Sequence, residues 1–224
     1  LGHVGLPLGI VFAGRSLNVL LIDSDLKNAK SVLSGNMPFV EYGAEEVLRS
    51  AIDNKRISIS DKYSDVSNAK NIIICIGTPI DEYLNPKTKV FLSTIKEYSK
   101  YFNEDQLIVI RSSVYPGTCD QVNRMLGDSI KLSYCPERIV QGYAVQELSK
   151  LPQIVSGFSK EAISMASVLF KQITEEIIFA TIAQAELTKL FSNAWRYIQF
   201  AATNQFYMIS SELGEDYSQI REIM

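Results

Sequence analysis

The stretch from Thr181 to Leu213 constrains this chain most. Thr181 followed three positions later by Gln184 is a capping-box pattern, and Gly214 stands where a C′ glycine ends a helix. No proline or glycine intervenes, so a single helix of about 30 residues, roughly 45 Å long, is permitted. Leu187, Leu190, Phe191, Ala194, Trp195, Ile198, Ala201, Ala202, Phe206 and Ile209 spread apolar surface over most of its circumference. Such a helix is expected to be buried, at a domain junction or against another subunit. Glu186, Lys189, Asn193, Arg196 and Asn204 form a narrow polar arc at about 100° per residue. Lys189 and Asn193, four positions apart, project side by side. A solvated face and a binding site both account for such an arc, and a lysine among apolar neighbours needs a partner.

Composition narrows the classes. With 224 residues and 46% apolar content, the chain can bury a sizeable core in one or two domains. The net charge is −3, and no Lys/Arg block occurs, so neither nucleic acid nor an anionic membrane surface is an expected partner. No uninterrupted apolar run reaches the ~18 residues of a bilayer span. The apolar run from Val4 to Ala13 lacks a basic flank and carries Gly and Pro, which does not suit a signal peptide. Cys75, Cys119 and Cys135 are too few and too scattered for a disulfide framework or a Cys-x-x-Cys metal site, so no metal is expected and the compartment reads as cytoplasmic.

Leu1-Gly2-His3-Val4-Gly5 reads as the latter part of a G-x-G-x-x-G turn, its first glycine and preceding strand expected upstream of Leu1. Gly5 opens an amphipathic helix to about Ser16, and 18–23 reads as a short strand ending in Asp23. That carboxylate lies 21 positions after Gly2, about where a dinucleotide fold places its ligand for the adenosine ribose. Glycines let the backbone approach a pyrophosphate, and a helix N-terminus supplies N–H donors. A plain tight turn gives the same half-motif; strand, helix and Asp23 in register favour the nucleotide.

Strand and helix signals then alternate. Helices are expected at 25–33, 44–54, 90–102 and 160–173, and strands at 56–60, 71–76, 106–110, 130–135, 153–156 and 176–180. Three of the strands run into polar loops: Gly77-Thr78-Pro79, Arg111-Ser112-Ser113-Val114-Tyr115-Pro116-Gly117, and Pro136-Glu137-Arg138. Doubly wound parallel sheets bind ligands at such strand ends.

These residues carry a resemblance that spacing alone does not. Gly2-His3-Val4-Gly5-Leu6-Pro7-Leu8, Cys75-Ile76-Gly77-Thr78-Pro79, Ser112 to Thr118, Cys135-Pro136-Glu137-Arg138, and Ala185 to Asn193 resemble, in order, the motifs of the nucleotide-sugar 6-dehydrogenases of the UDP-glucose/GDP-mannose dehydrogenase family. The Pro-Glu-Arg motif and the segment 142–157 most resemble enzymes acting on UDP-N-acetylhexosamines, notably UDP-N-acetylmannosamine. The resemblance implies an α/β, Rossmann-like, doubly wound, mainly parallel sheet over residues 1–180. A long helix follows, beginning an all-α central dimerisation domain at 181–224, with a C-terminal UDP-sugar-binding domain expected beyond.

The same resemblance implies oxidation of a sugar C6 alcohol to a carboxylate with two NAD, in cytoplasmic polysaccharide biosynthesis, by a homodimer formed through the 182–213 helix. Gly2, His3, Val4, Gly5, Asp23, Thr78 and Ser113 take the cofactor-binding positions. Glu137 matches the glutamate acting in thioester hydrolysis, with Arg138 beside it at the substrate. Lys189 matches the lysine stabilising charge on the C6 oxygen, and Asn193 its hydrogen-bonding neighbour. An ammonium and an amide on one helix face also suit an oxyanion on chemical grounds.

There are departures. His3 replaces the usual aromatic, Ser113 replaces Thr, and Gln141 and Gln205 stand where Pro and Glu are common. The family's nucleophilic cysteine, in a glycine-rich loop, is expected beyond Met224. Cys135, two residues before Glu137, reads as a small buried residue at a strand end. Two other readings remain open: a different NAD-dependent hydroxyacid dehydrogenase, and a non-catalytic NAD-binding dimeric module.

Overall fold

The computed structural model describes residues 1–83 and 85–224 and divides into two compact units, Leu1–Glu186 and Leu187–Met224. In the first, strands β1 (Val19–Ile22) and β2 (Ile57–Ser60) pair in parallel as a small sheet. Strands β3 (Asn71–Ile74), β4 (Leu107–Ile110), β5 (Lys131–Tyr134), β6 (Gln153–Gly157) and β7 (Ile177–Phe179) form a second sheet in that order. Its pairs are parallel except β5 with β6. The helices are α1 (Gly5–Gly14), α2 (Ala29–Leu33), α3 (Ala44–Asp53), α4 (Thr88–Ser99), α5 (Thr118–Leu126), α6 (Ala144–Glu147) and α7 (Lys160–Phe170). Helix α8 (Ile182–Glu212) continues from the first unit into the second, and α9 (Tyr217–Ile223) follows.

All four residues of β4 are buried, and their side chains divide by parity. Leu107 and Val109 join a core with Leu8, Val11, Phe12, Val155 and Phe170, whereas Ile108 and Ile110 join one with Phe91, Ile95, Val122 and Leu132. A parallel strand covered on both faces must be apolar throughout, which is why 107–110 reads Leu-Ile-Val-Ile. Helix α1 corrects the amphipathic expectation, because Leu6 to Ala13 are all buried. Leu8, Val11 and Phe12 face the large sheet's core, while Leu6, Ile10 and Ala13 pack with Leu21, Val32, Leu48 and Ile57 beneath the small sheet.

Helix 25–33 is instead a 3₁₀ turn, Leu26–Asn28, leading into α2, with Asp25 accepting the Lys27 N–H at 3.0 Å. At α8 the capping box forms: the Thr181 N–H donates to Gln184 Oε1 at 2.9 Å and the Gln184 N–H to Thr181 Oγ1 at 3.2 Å. Gly214, at φ +75°, ends the helix in the left-handed region.

One expectation about α8 changes. Glu186 does not belong to a polar stripe: it is 1% exposed and lies within the first unit. From Leu187 onward the single chain leaves the apolar face exposed, including Phe191, Trp195, Tyr197 and Ile198. Among the described residues, no helix is long and apolar enough to cross a membrane.

Candidate functional site

Helix α1 starts at Gly5 with no side chain capping it, and its ladder begins with the Leu6 N–H bonded to the Gly2 carbonyl at 3.1 Å. The N–H groups at that terminus therefore face out of the helix as anion donors. A Cβ at Gly2 would meet open space, and one at Gly5 would lie 3.5 Å from Cys75 Cβ, so the turn is seated beside the end of β3. A Cβ at Gly9 would fall 2.7 Å from Leu21 Cδ2, so α1 approaches β1 as closely as only glycine allows. Asp23 follows β1; its Oδ1 accepts the Asp25 N–H at 3.0 Å, and its Oδ2 lies 2.5 Å from the Leu1 backbone nitrogen. The carboxylate thus stands next to the glycine turn. His3 is exposed and packs against Phe39 in a tilted arrangement, with ring centroids 4.0 Å apart.

Strands β3, β4 and β5 end in register, Ile74 opposite Ile110 and Ile110 opposite Tyr134. Their three outgoing loops consequently emerge along one edge. Thr78 is half-buried there and Ser113 is exposed, whereas Ser112 is buried and donates to the Ile76 carbonyl at 2.6 Å. The hydroxyl available to a ligand is that of Ser113, and Ser112 ties the β4 loop to the β3 loop.

Glu137 is 7% exposed. Its Oε1 accepts the backbone N–H groups of Arg138, at 2.7 Å, and Ile139, at 3.0 Å. Its Oε2 pairs with Arg111 Nη2. The fully buried Arg111 also donates from Nη1 to the Cys135 carbonyl at 3.1 Å and to Gln153 Oε1 at 2.9 Å, and it lies over the Phe170 ring at 4.9 Å. Sequence reasoning assigned Arg111 only to a loop; its partner Glu137 is 26 positions away, and no local pattern announces such a pair. Arg138, expected at the substrate, is half-buried with its guanidinium donating to the Pro152 carbonyl.

Residues 1–174 match the family model described as UDP-glucose/GDP-mannose dehydrogenase family, NAD binding domain. The chain belongs to this family. It is 29% identical over 219 residues to the UDP-N-acetyl-D-mannosamine dehydrogenase of Methanococcus vannielii, covering 96% of this chain and 51% of that protein. It is 26% identical to the UDP-glucose 6-dehydrogenase of Rickettsia typhi, covering 99% and 53% respectively. Its fold matches the solved UDP-D-ManNAc dehydrogenase of Pyrococcus horikoshii with a TM-score of 0.89 at 24% identity, covering all of this chain and 55% of that one. A GDP-mannose dehydrogenase ternary complex from Pseudomonas aeruginosa superposes with a TM-score of 0.90 at 21% identity, covering 100% and 54%. The chain spans about half the length of the curated relatives it matches.

For an NAD-binding domain of this family the residues present fit the cofactor. An uncapped helix N-terminus with open space at Gly2 suits a pyrophosphate, and Asp23 beside the same turn suits ribose hydroxyls. The thiols do not look like nucleophiles. Burial pushes Cys75 up to about 11, against the nearby Arg111 charge, and Cys135 up to about 12. Burial, with Glu186 close by, raises Cys119 as well. All three are held as thiols at neutral pH, in agreement with the reading of Cys135 as a small buried residue.

Lys189 and Asn193 lie on α8 within the Leu187–Met224 unit, both half-buried and four positions apart. Glu186, which shares their sequence motif, has a different task. Its carboxylate accepts the N–H groups of Gly117 and Cys119 at the start of α5. Among the described residues no group of His, Cys, Asp and Glu is arranged to hold a metal.

Proposed function

We propose that this chain is the cofactor-binding part of a cytoplasmic enzyme that oxidises the C6 alcohol of a UDP-N-acetylhexosamine, UDP-N-acetylmannosamine in the first instance, to the uronic acid. The observation that supports this reading is the common edge where β3, β4 and β5 end in register, from which the loops bearing Thr78, Ser113 and Glu137 leave, with Gly5 seated beside Cys75 at the end of β3. Relatives from several archaea that align over nearly the whole chain are named UDP-N-acetyl-D-mannosamine dehydrogenases, and in this reading the uronic acid is a precursor for polysaccharide synthesis.

When bound, NAD supplies the hydride acceptor for each of two oxidations. The chain's own residues do the rest. The α1 N-terminus holds the pyrophosphate, Asp23 accepts the ribose hydroxyls, and Thr78 and Ser113 offer hydroxyls where the nicotinamide end belongs. Lys189 and Asn193 stabilise negative charge on the C6 oxygen as its proton leaves. In the last step a thioester borne on a cysteine that the full-length protein must supply is hydrolysed: water attacks its carbonyl carbon, the carbon–sulfur bond breaks to return that cysteine as thiolate, and Glu137 takes the water's proton. Residues 1–180 form the cofactor domain in this reading and 181–224 begin a central helical domain. The exposed Phe191, Trp195 and Ile198 on α8 support a homodimer through 182–213.

The test is NADH formation by the full-length protein with UDP-N-acetylmannosamine, UDP-N-acetylglucosamine and UDP-glucose. Two NADH per sugar with a UDP-N-acetylhexosamine supports the reading. Turnover of simple hydroxyacids instead, or none with any UDP-sugar, overturns it.

A further inference from the structure

We infer that Arg111 is the positioning residue for Glu137. This rests on the role given to Glu137 above and adds the residue that makes the role possible. Arg111 immediately follows β4, and Cys135 immediately follows β5; the two strands pair in register through Ile110 and Tyr134. The guanidinium therefore crosses under the start of the β5 loop, where Nη1 meets the Cys135 carbonyl and Nη2 meets the Glu137 carboxylate.

The cation is fixed from below as well as from above. Gln153 on β6 accepts from Nη1 at 2.9 Å while its own amide donates to the Ile154 carbonyl at 2.7 Å, so the amide cannot turn away without losing a bond. Phe170 of α7 places its ring 4.9 Å from the guanidinium carbon. Three neighbouring elements thus hold one charge still, and that charge holds one oxygen of Glu137. The other oxygen is held by the N–H groups of Arg138 and Ile139.

Energetics decide between a structural and a positioning role. A buried ion pair is weak as a source of stability, because desolvation of both charges offsets their attraction. What the arrangement does deliver is a carboxylate with both oxygens fixed at the ligand edge of the sheet and with little rotameric freedom. Placement at that accuracy is what a reacting carboxylate requires. An apolar residue at position 111 would leave Glu137 held through Oε1 alone, with Oε2 unanchored.

The experiment uses the full-length enzyme and a double-mutant cycle of Arg111→Met with Glu137→Gln, with Arg111→Lys as the conservative variant. Stopped-flow NADH formation separates the burst of the oxidation steps from the steady-state rate of acid release. Arg111→Met is expected to lower the steady-state rate about 10-fold or more, with burst amplitude kept and KM for NAD changed less than about 3-fold. Arg111→Lys is expected to restore much of that rate, and Arg111→Met on the Glu137→Gln background to cost nothing further. Losses that multiply across the two sites, or an unchanged steady-state rate in Arg111→Met, would overturn the inference. Should Arg111→Met fail to fold, the cycle run with Arg111→Gln, which also removes the charge, reads the same coupling. A Glu137→Gln enzyme with wild-type turnover removes the role of Glu137 itself, and this inference with it. Loss of turnover in Glu137→Gln beside an unaffected Arg111→Met sinks the inference alone.

Discussion

The Glu186 carboxylate accepts the backbone N–H of Cys119 at 3.0 Å, and with its second oxygen that of Gly117 at 2.8 Å. A side chain at the start of α8 therefore caps α5, 67 residues earlier, from a position 1% exposed. Glu186→Ala leaves the buried Cys119 N–H, worth about 1–3 kcal/mol, and the half-buried Gly117 N–H, worth less, without acceptors. Loss of stability of roughly 2–4 kcal/mol is expected on urea unfolding. Glu186→Gln, whose single amide oxygen still accepts from one of the two N–H groups, should lose roughly half as much. An alanine variant as stable as the wild type would remove this tether from the account of the fold.

Much of that fold is legible in the sequence, and the tether shows why part of it is not. The core strands stand out because burial on both faces demands unbroken apolar runs such as Leu107 to Ile110. Helix α8 stands out because its capping box is a local signal read within four residues. Helix α5 was invisible: it follows Gly117 at φ +83°, buries only Thr118, Cys119 and Val122, and takes its cap from a distant residue. The same distance hides Arg111 behind Glu137. Placing Glu186 with Lys189 and Asn193 on one arc respected helical spacing but could not foresee that the compact unit ends at Glu186. The glycine turn and Asp23, by contrast, were found because their spacing is itself the signal.

Asp23 fixes the expected cofactor preference. Its carboxylate stands beside the glycine turn, where ribose hydroxyls can donate to it and a 2′-phosphate would be repelled. Calorimetry on the full-length protein should show NAD bound at least about 10-fold more tightly than NADP, and Asp23→Asn should narrow the gap chiefly by weakening NAD. Equal affinities for the two dinucleotides in the wild type would refute this assignment.

Assembly follows from the uncovered face of α8. Phe191 at 66% exposure and Trp195 at 60% are large apolar side chains that a lone chain leaves in water. Pairing this face with its own copy about a twofold axis would bury them on both protomers. Sedimentation should give a dimer, and Trp195→Glu should weaken it by about 100-fold or more, because a central aromatic anchor is replaced by a charge. A well-folded wild-type monomer at tens of micromolar contradicts the proposal.

Lys189 is the residue whose removal should separate binding from chemistry most clearly. It sits half-buried on α8, one turn before Asn193, so its ammonium and the amide project from one face. In the proposed oxidation the C6 hydroxyl loses its proton, and negative charge on that oxygen is larger in the transition state than in the bound alcohol. A fixed ammonium therefore stabilises the transition state more than the ground state, which lowers the barrier without tightening substrate binding to match. NAD should be held by the Gly2–Gly5 turn and Asp23, which belong to the first unit, and so should be largely indifferent to position 189. In the full-length enzyme Lys189→Ala is expected to cut kcat about 100-fold or more, equivalent to about 2.7 kcal/mol, with NAD affinity changed less than about 3-fold. Asn193→Ala should follow the same pattern with a smaller loss, since an amide carries no full charge. If Lys189→Ala instead weakens NAD binding and leaves kcat intact, the lysine holds the cofactor or the fold, and the oxyanion role falls.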